Sequence, residues 1–94
     1  MYQSKIASPM VDELYDALLT LKDREAFYQF FDDLCTIGEI QSMAQRLTVA
    51  KKLRSGETFA QISEQTGVSS ATITRVNKCL GYGSGGYDLV LAKK

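Results

Sequence analysis

The stretch TFAQISEQTGVSSATITRVNKCL, which runs from Thr58 to Leu80, decides the fold. It predicts two short helices, from Phe59 to Thr66 and from Ser69 to Gly81, on either side of a turn that contains Gly67. A glycine at the centre of this turn supplies the positive φ that other residues adopt only with strain. Two helices joined by a short turn containing glycine are the pattern of a helix-turn-helix.

The apolar residues of this stretch are spaced so that each helix can bury one face. We expect Ile62 to face the core of the pair and Val68 to seal the turn. Ile73 and Val76, three residues apart, would anchor the second helix from beneath. Ser63 is small, which suits two helices that cross closely. An ordinary helical hairpin with a polar outer face is the alternative, because any two packed helices show apolar periodicity.

The outward face of the second helix is polar and carries no acid. No Asp or Glu lies between Gln65 and Leu80. Short hydroxyls and basic side chains suit contact with phosphates and base edges. We therefore predict that double-stranded DNA is contacted by Ser69, Ser70, Thr72, Thr74, Arg75 and Lys78. Arg75 is the main candidate for a base or phosphate contact, and Lys51 or Lys52 would add contacts to the DNA backbone.

Helical signals also dominate the residues before this motif, so we expect an all-α fold. Ser8, followed by a proline, predicts the start of one helix, and Asp23 lies at the start of a second. Thr36 with Glu39 three residues later has the spacing of a capping box and predicts a third helix. Apolar residues keep the helical period from there to Gly56, a residue typical of helix ends.

The character of the chain changes at residue 81. GYGSGG, residues 81–86, has four glycines in six residues and predicts a flexible connector. The segment after it could be a short helix, a strand or an unanchored tail. For Tyr82 and Tyr87 we weigh stacking on a base against packing or disorder, and favour the second. We expect one domain over residues 1–94: a helical core at 8–54, the helix-turn-helix at 58–80, and a glycine-rich connector and flexible tail at 81–94.

The composition narrows the classes of function. The 94 residues include no histidine and only two cysteines, Cys35 and Cys79. The sequence therefore excludes a histidine general base and a zinc site built from His and Cys. We expect that the protein is not an enzyme, has no catalytic residue and binds no metal ion. No apolar run approaches the roughly 20 residues of a membrane helix. Two cysteines without redox spacing suit a reducing cytosol, so we expect a cytoplasmic protein.

The net charge of zero hides an asymmetry. Residues 1–40 carry three Lys or Arg and eight Asp or Glu, a net charge of −5, whereas residues 41–94 carry eight and three, a net charge of +5. A basic half favours a polyanionic partner, whereas the alternative is that each half simply solvates its own surface.

A specific resemblance adds to this interpretation. GVSSATITRVNKCL, with the preceding TIGEIQSMAQRLTVAKKLRSGE, resembles the Trp repressor family, and most closely its Trp repressor-like branch in Gram-positive bacteria. The resemblance covers about Tyr15 to Leu80 and is sharpest at Ala71–Arg75 and at Arg46. It implies an intertwined homodimer, in which residues 8–54 of two chains form a central core and two helix-turn-helix heads project. It also implies a transcriptional regulator, a repressor, that reads a pseudo-palindromic site in the major groove.

The resemblance further implies a candidate effector pocket. The family's corepressor is L-tryptophan, whose indole lies between two arginines. Arg46 and Arg75 match those arginines, and Thr36 matches a threonine near the pocket. Val76 replaces a glycine behind the indole, where it would intrude on the ring, and Cys79 replaces a serine. We therefore expect no bound cofactor and a regulator whose small-molecule effector is unknown or absent, with L-tryptophan as corepressor left as the alternative.

A second class of function remains open. The same outward face of the second helix would suit an acidic protein, which would make the chain a helical, dimeric protein-interaction module. Nucleic acid that co-purifies with the protein and is removed by salt would favour the DNA-binding interpretation.

Overall fold

The computed structural model describes residues 2–91, and within that range all regular secondary structure is helical. The helices are α1 (Pro9–Leu19), α2 (Arg24–Leu34), α3 (Ile37–Arg54), α4 (Phe59–Thr66), α5 (Ser70–Tyr82) and α6 (Gly86–Leu91). The chain divides into two compact units, with the boundary between Ile37 and Gly38. The all-α class predicted from the sequence is confirmed.

Capping residues begin the first two helices at the predicted positions. Oγ of Ser8 accepts a hydrogen bond from the backbone N–H of Val11 at 3.1 Å, and Pro9 is the first helical residue. Oδ1 of Asp23 accepts a hydrogen bond from the N–H of Ala26 at 2.9 Å. Each cap satisfies one of the N–H groups that the first turn of a helix leaves unpaired, which stabilises the helix by about 1 kcal/mol.

The first unit, which contains α1 and α2, has no fully buried residue in either helix. Aromatic rings of α2 do meet: Phe31 stacks with Phe27 and contacts Phe30 edge-on, with ring centroids 6.1 Å apart in both pairs. Large apolar side chains nevertheless stay exposed, Leu19 at 82% and Tyr28 at 64%. Because burial of apolar surface is the dominant favourable term in folding, this unit keeps an unusual amount of apolar surface in water.

In the second unit, α3 ends in a turn that requires glycine. The N–H of Gly56 donates to the carbonyl of Leu53 and the N–H of Glu57 to the carbonyl of Lys52, both at 3.1 Å. Gly56 has a φ of +90°. This pair of bonds is the Schellman arrangement, which satisfies the last carbonyls of a helix and redirects the chain, here toward α4.

The core of the second unit joins α3 to the helix-turn-helix. Six residues are at most 7% exposed: Val49, Ala50, Ile62, Val68, Ile73 and Val76. Four partly buried residues pack against them, namely Leu53, Leu80, Tyr87 and Leu91. The four core positions expected in the helix-turn-helix are therefore buried as predicted. Because all of α3, α4 and α5 contribute, the direction of α5 is fixed by α3 as well as by the turn.

The C-terminal segment differs from the flexible connector and tail expected over residues 81–94. Helix α5 continues through Gly81 to Tyr82, and α6 follows after three residues. Tyr87 and Leu91, four positions apart, place one face of α6 against the core. Of the three alternatives that the sequence left open for this segment, the structure has the short helix. The sequence did not single it out because this face has only two apolar residues, and the neighbouring glycines conceal their helical spacing.

An ion pair adds to the contacts of α6. The Arg54 guanidinium in the last turn of α3 pairs with the Asp88 carboxylate in the first turn of α6. The apolar residues Leu89 and Val90 of the same helix are 84% and 59% exposed. Residues 92–94 of the expected tail lie outside the described range.

Candidate nucleic-acid interface

A capping box fixes the start of α4. Oγ1 of Thr58 accepts a hydrogen bond from the N–H of Gln61 at 3.1 Å, and Oε1 of Gln61 accepts one from the N–H of Thr58 at 2.8 Å. The two residues thus satisfy each other's backbone donors. The first helix of the motif therefore begins at Phe59, as predicted.

Gly67 ends α4 and forms the turn toward α5. Its φ is +75°, and its N–H donates to the carbonyl of Ser63 at 2.8 Å. A Cβ at this position would meet no atom within 4 Å. The need for glycine therefore comes from the left-handed backbone conformation and not from lack of space, as the sequence indicated.

Thr66 holds the turn, a role that the sequence pattern did not predict. Its hydroxyl donates to the carbonyl of Ile62 at 2.7 Å and accepts from the N–H of Val68 at 3.2 Å. The Ser63 hydroxyl also donates to the carbonyl of Val68, at 3.4 Å. A threonine directly before a turn glycine is the signal that could have identified this role, because short hydroxyls bond to nearby backbone groups.

Two of the predicted DNA contacts take part in the cap of α5. Oγ of Ser69 accepts a hydrogen bond from the N–H of Thr72 at 3.2 Å and donates one to Oγ1 of Thr72 at 3.2 Å. Thr72 is half-buried, so it does not lie fully outward as predicted. These two hydroxyls set the start of the helix, and their capping bonds compete with contacts to a ligand.

The other four predicted contacts lie exposed on α5: Ser70, Thr74, Arg75 and Lys78. Neither Arg75 nor Lys78 has an ion pair or hydrogen bond to any of residues 2–91. Ile73 and Val76 hold the opposite side of the helix in the core. The helix therefore presents two cations and two hydroxyls to solvent with no acid among them.

The remaining cations near the motif separate into free and paired groups. Lys51 is exposed and has no ion pair or hydrogen bond within the described part of the chain. Lys52 instead donates to Oε1 of Gln65 at 2.6 Å and lies 3.8 Å from Oε2 of Glu57. Of the two lysines considered for the DNA backbone, Lys51 is thus the available one, while Lys52 links the end of α3 to the end of α4.

The residues of the expected effector pocket have varied surroundings. Thr36 is exposed and belongs to the first unit, whereas the other four belong to the second. Arg46 is half-buried, and its Nη1 donates to Oγ of Ser42 at 3.0 Å. Val76 is 1% exposed and Cys79 is exposed.

A cavity of about 80 Å³ lies beside α5 in the second unit. It is lined by Cys79, Leu80, Gly81, Gly83, Gly85, Tyr87 and Asp88. Of the expected effector residues, the lining includes Cys79 and omits the two arginines and Val76. The arginines that would enclose an indole are therefore not part of this cavity.

The comparison with known protein families agrees with this geometry. The family model described as Trp repressor protein matches residues 10–94. The chain belongs to the Trp repressor family. This is a family of DNA-binding regulators and not of enzymes, and the resemblance found in the sequence is confirmed.

Relatives of this family member include proteins of two bacteria. The uncharacterized protein YerC of Bacillus subtilis is 52% identical over 91 residues, which cover 97% of this chain and 88% of YerC. A Trp operon repressor homolog of Chlamydia caviae is 39% identical over 61 residues, 64% of this chain and 60% of that protein.

Solved structures of Trp repressor relatives share the fold. A candidate Trp repressor from Staphylococcus aureus is 51% identical, with a TM-score of 0.88 over 94% of this chain and 88% of that one. A TrpR-like protein from Eubacterium eligens is 50% identical, with a TM-score of 0.89 over 94% and 91% of the two chains. The fold is therefore shared over 94% of this chain.

The described residues contain neither a cluster of metal ligands nor a membrane-spanning helix. Among residues 2–91, no three Cys, Asp or Glu side chains are grouped as metal ligands. No helix in the same range combines the length and apolar character needed to cross a bilayer.

Proposed function

We propose that this protein is a sequence-specific DNA-binding transcriptional regulator, a repressor, that reads the major groove through α5. The observation that carries the proposal is the outward face of α5, where Arg75 and Lys78 are exposed, unpaired within residues 2–91 and free of neighbouring acids. An α-helix fits the major groove, where each base pair presents a distinct pattern of donors and acceptors. Membership of the Trp repressor family supports the same function.

Each exposed side chain of this face has a suitable partner on DNA. Arg75 carries a planar guanidinium, which can donate two hydrogen bonds to the O6 and N7 atoms of one guanine. Lys78 and Lys51 provide single charges for phosphate oxygens. Ser70 and Thr74 add hydroxyls, with Ser70 in the first turn of α5, where backbone N–H groups also favour an anion.

The first unit supports a homodimer as the active form. Helices α1 and α2 bury no residue, and Leu19, Tyr28 and Met10 are each more than 60% exposed. A second copy of the chain would cover this surface, as the intertwined dimer of the family implies. A two-fold dimer binds half-sites about one helical turn, or about 34 Å, apart, so we expect a pseudo-palindromic operator.

The proposed regulator does not depend on tryptophan. An indole between Arg46 and Arg75 would need space beside Val76, but the Val76 side chain fills the core and Arg46 donates to its own helix at Ser42. The described residues thus do not fit L-tryptophan as a corepressor. An effector of other chemistry, or none, is consistent with this arrangement, and the site of action is the cytoplasm.

Substitution of Arg75 tests the proposal. Duplexes are first selected from a random-sequence pool by the wild-type protein, and filter binding then gives the affinity for the selected duplex. We expect Arg75→Ala to weaken binding by about 1–3 kcal/mol, because alanine cannot replace the two hydrogen bonds that the guanidinium donates to a base. Arg24→Ala removes an exposed arginine from the acidic first unit and serves as the matched control.

The outcomes separate the candidate functions. Unchanged affinity of the Arg75 variant would refute its assignment as a base contact. Failure of the wild-type protein to select any duplex would refute DNA binding. Recovery of an acidic protein on the same face would then favour the protein-interaction module.

A further inference from the structure

Tyr82 is the most exposed large apolar side chain in the second unit, at 91%. The other tyrosine of the glycine-rich segment, Tyr87, is half-buried and packs against the core. Tyr82 has no hydrogen bond or ring contact within residues 2–91. Both the ring and the hydroxyl of Tyr82 are therefore available to a partner.

The helical spacing places Tyr82 on the same stripe as the proposed DNA contacts. Arg75, Lys78 and Tyr82 are separated by three and four residues, so they lie one above another along α5. Ala71, four residues before Arg75, begins this stripe. Ile73, which is buried, lies on the opposite side of the helix.

The backbone holds Tyr82 in a defined place. It is the last residue of α5, and the N–H of Gly83 closes the helix by donating to the carbonyl of Cys79 at 3.0 Å. A Cβ at position 83 would collide with that carbonyl, so only glycine allows this close turn. The contacts of Tyr87 with the core then anchor the chain on the far side of the segment.

The length of the stripe exceeds the width of the groove. From Ala71 to Tyr82 the helix rises by about 16 Å, at 1.5 Å per residue. The major groove is about 12 Å wide. If Arg75 lies among the base edges, the last turn of α5 therefore reaches the sugar–phosphate rim of the groove.

We propose that Tyr82 is a further DNA contact, whose hydroxyl donates to a backbone phosphate oxygen while its ring lies against the deoxyribose. This inference rests on the proposed function of α5. It adds that the last turn of α5 contacts the sugar–phosphate backbone at the edge of the major groove. Charge favours DNA over a second copy of the chain, because no Asp or Glu lies between Gln65 and Tyr87, and Lys78 stands one turn from Tyr82. Tyrosine hydroxyls are established donors to phosphate oxygens.

A fluorescent substitution locates the partner of position 82. The chain contains no tryptophan, so Tyr82→Trp introduces a single indole whose emission reports on this position alone. We expect the selected duplex to change the intensity and wavelength of that emission, while dilution of the free protein leaves both unchanged. Emission that responds to dilution and not to DNA would overturn the proposal and assign Tyr82 to a contact between copies.

The salt dependence of binding separates a neutral contact from a charged one. Tyr82→Ala should weaken binding to the selected duplex about 3- to 10-fold, because one hydrogen bond and its packing are removed, with an unchanged slope of log K against log [salt]. Tyr82→Phe should recover only part of that affinity. Lys78→Gln should instead reduce the slope by about 0.9 for each phosphate that the lysine neutralises.

The binding measurements distinguish failure of the Tyr82 contact from failure of the proposed function of α5. If wild-type protein binds the duplex and Tyr82→Ala binds equally well, Tyr82 is not a contact, and the proposed function of α5 stands. If the wild-type protein binds no duplex, both the function and this inference are overturned. Thermal melting of each variant checks folding, which we expect to be unchanged because the side chain is exposed.

Discussion

At the scale of single residues, two glycines have similar surroundings, but the backbone requires glycine at only one of the two positions. Neither Gly67 nor Gly81 would place a Cβ within 4 Å of another atom. Gly67, however, has a φ of +75°, whereas Gly81 lies inside α5 with helical geometry. The backbone conformation, and not steric room, therefore decides where glycine is needed.

This contrast predicts opposite signs for the same substitution. Gly67→Ala should reduce the free energy of unfolding by about 1 kcal/mol, because alanine is strained at positive φ. Gly81→Ala should raise it by about 0.5–1 kcal/mol, because alanine is the better helix former. Urea unfolding of both variants measures the difference, and a stabilised Gly67 variant would contradict this account of the turn.

Residue-level sequence patterns predicted the buried core of the helix-turn-helix better than they predicted the roles of its polar residues. Apolar spacing identified Ile62 and Ile73 as core residues, since the period of a helix is visible in any buried face. The hydrogen bond that ties the Thr72 hydroxyl to the cap residue Ser69 was not visible, because a hydroxyl near a helix start is equally typical of a cap and of a phosphate contact. Only the hydrogen bonds distinguish the two.

At the scale of elements, the contacts between α3 and α4 involve one of two adjacent lysines. Lys52 donates to Gln65 in the last turn of α4 and lies beside Glu57, whose Oε1 is buried without a hydrogen-bond partner among residues 2–91. Lys51 is exposed and unpaired within the same range. Lys51 and Lys52 thus have different surroundings, because adjacent residues lie about 100° apart around a helix.

Neutralising each lysine in turn should separate stability from DNA binding. Lys52→Gln should lower the free energy of unfolding by about 0.5–1 kcal/mol, because Glu57 loses its cation and the shorter side chain weakens the hydrogen bond to Gln65. Lys51→Gln should leave unfolding unchanged and reduce the salt slope of DNA binding by about 0.9 for each chain. Urea unfolding and filter binding at several salt concentrations test the pair, and interchanged effects would refute the assignment.

The elements themselves differ in how well sequence predicts them. Helix α4 has a cap, a capping-box partner and a terminal glycine, so its bounds were predicted to the residue. Helix α6 has six residues, begins where three glycines fall within four positions and uses two apolar contacts, so tertiary packing rather than local sequence specifies it. The helix-turn-helix was therefore predictable, whereas the segment that covers its core was not.

At the scale of the whole molecule, charge and apolar surface are distributed unequally. The net charge is −5 over residues 1–40 and +5 over residues 41–94, a division near the boundary between the two units. The first unit has the exposed apolar helices and the second the unpaired cations of α5. This distribution supports association through the first unit and DNA binding through the second.

The proposed dimer predicts the mass of the protein in solution and the effect of a charged substitution in α1 on the monomer–dimer equilibrium. Sedimentation equilibrium should give twice the 10.4 kDa of one chain, and the melting temperature should rise with protein concentration. Leu19→Lys, which places a charge on the exposed apolar surface of α1, should shift the equilibrium toward single chains. Ala60→Lys, at an exposed position of α4, is the control. A wild-type protein that sediments as one chain at all concentrations would refute the dimer.

The absence of a fully buried residue in α1 and α2 has a consequence for the regulation of gene expression. If those helices gain their core only from a second copy, folding and pairing form one equilibrium, and the amount of competent protein grows with the square of the free chain concentration. Operator occupancy would then respond steeply to synthesis, and newly made single chains at low abundance would be exposed to proteolysis. A short supply of the regulator would release its target genes abruptly rather than in proportion.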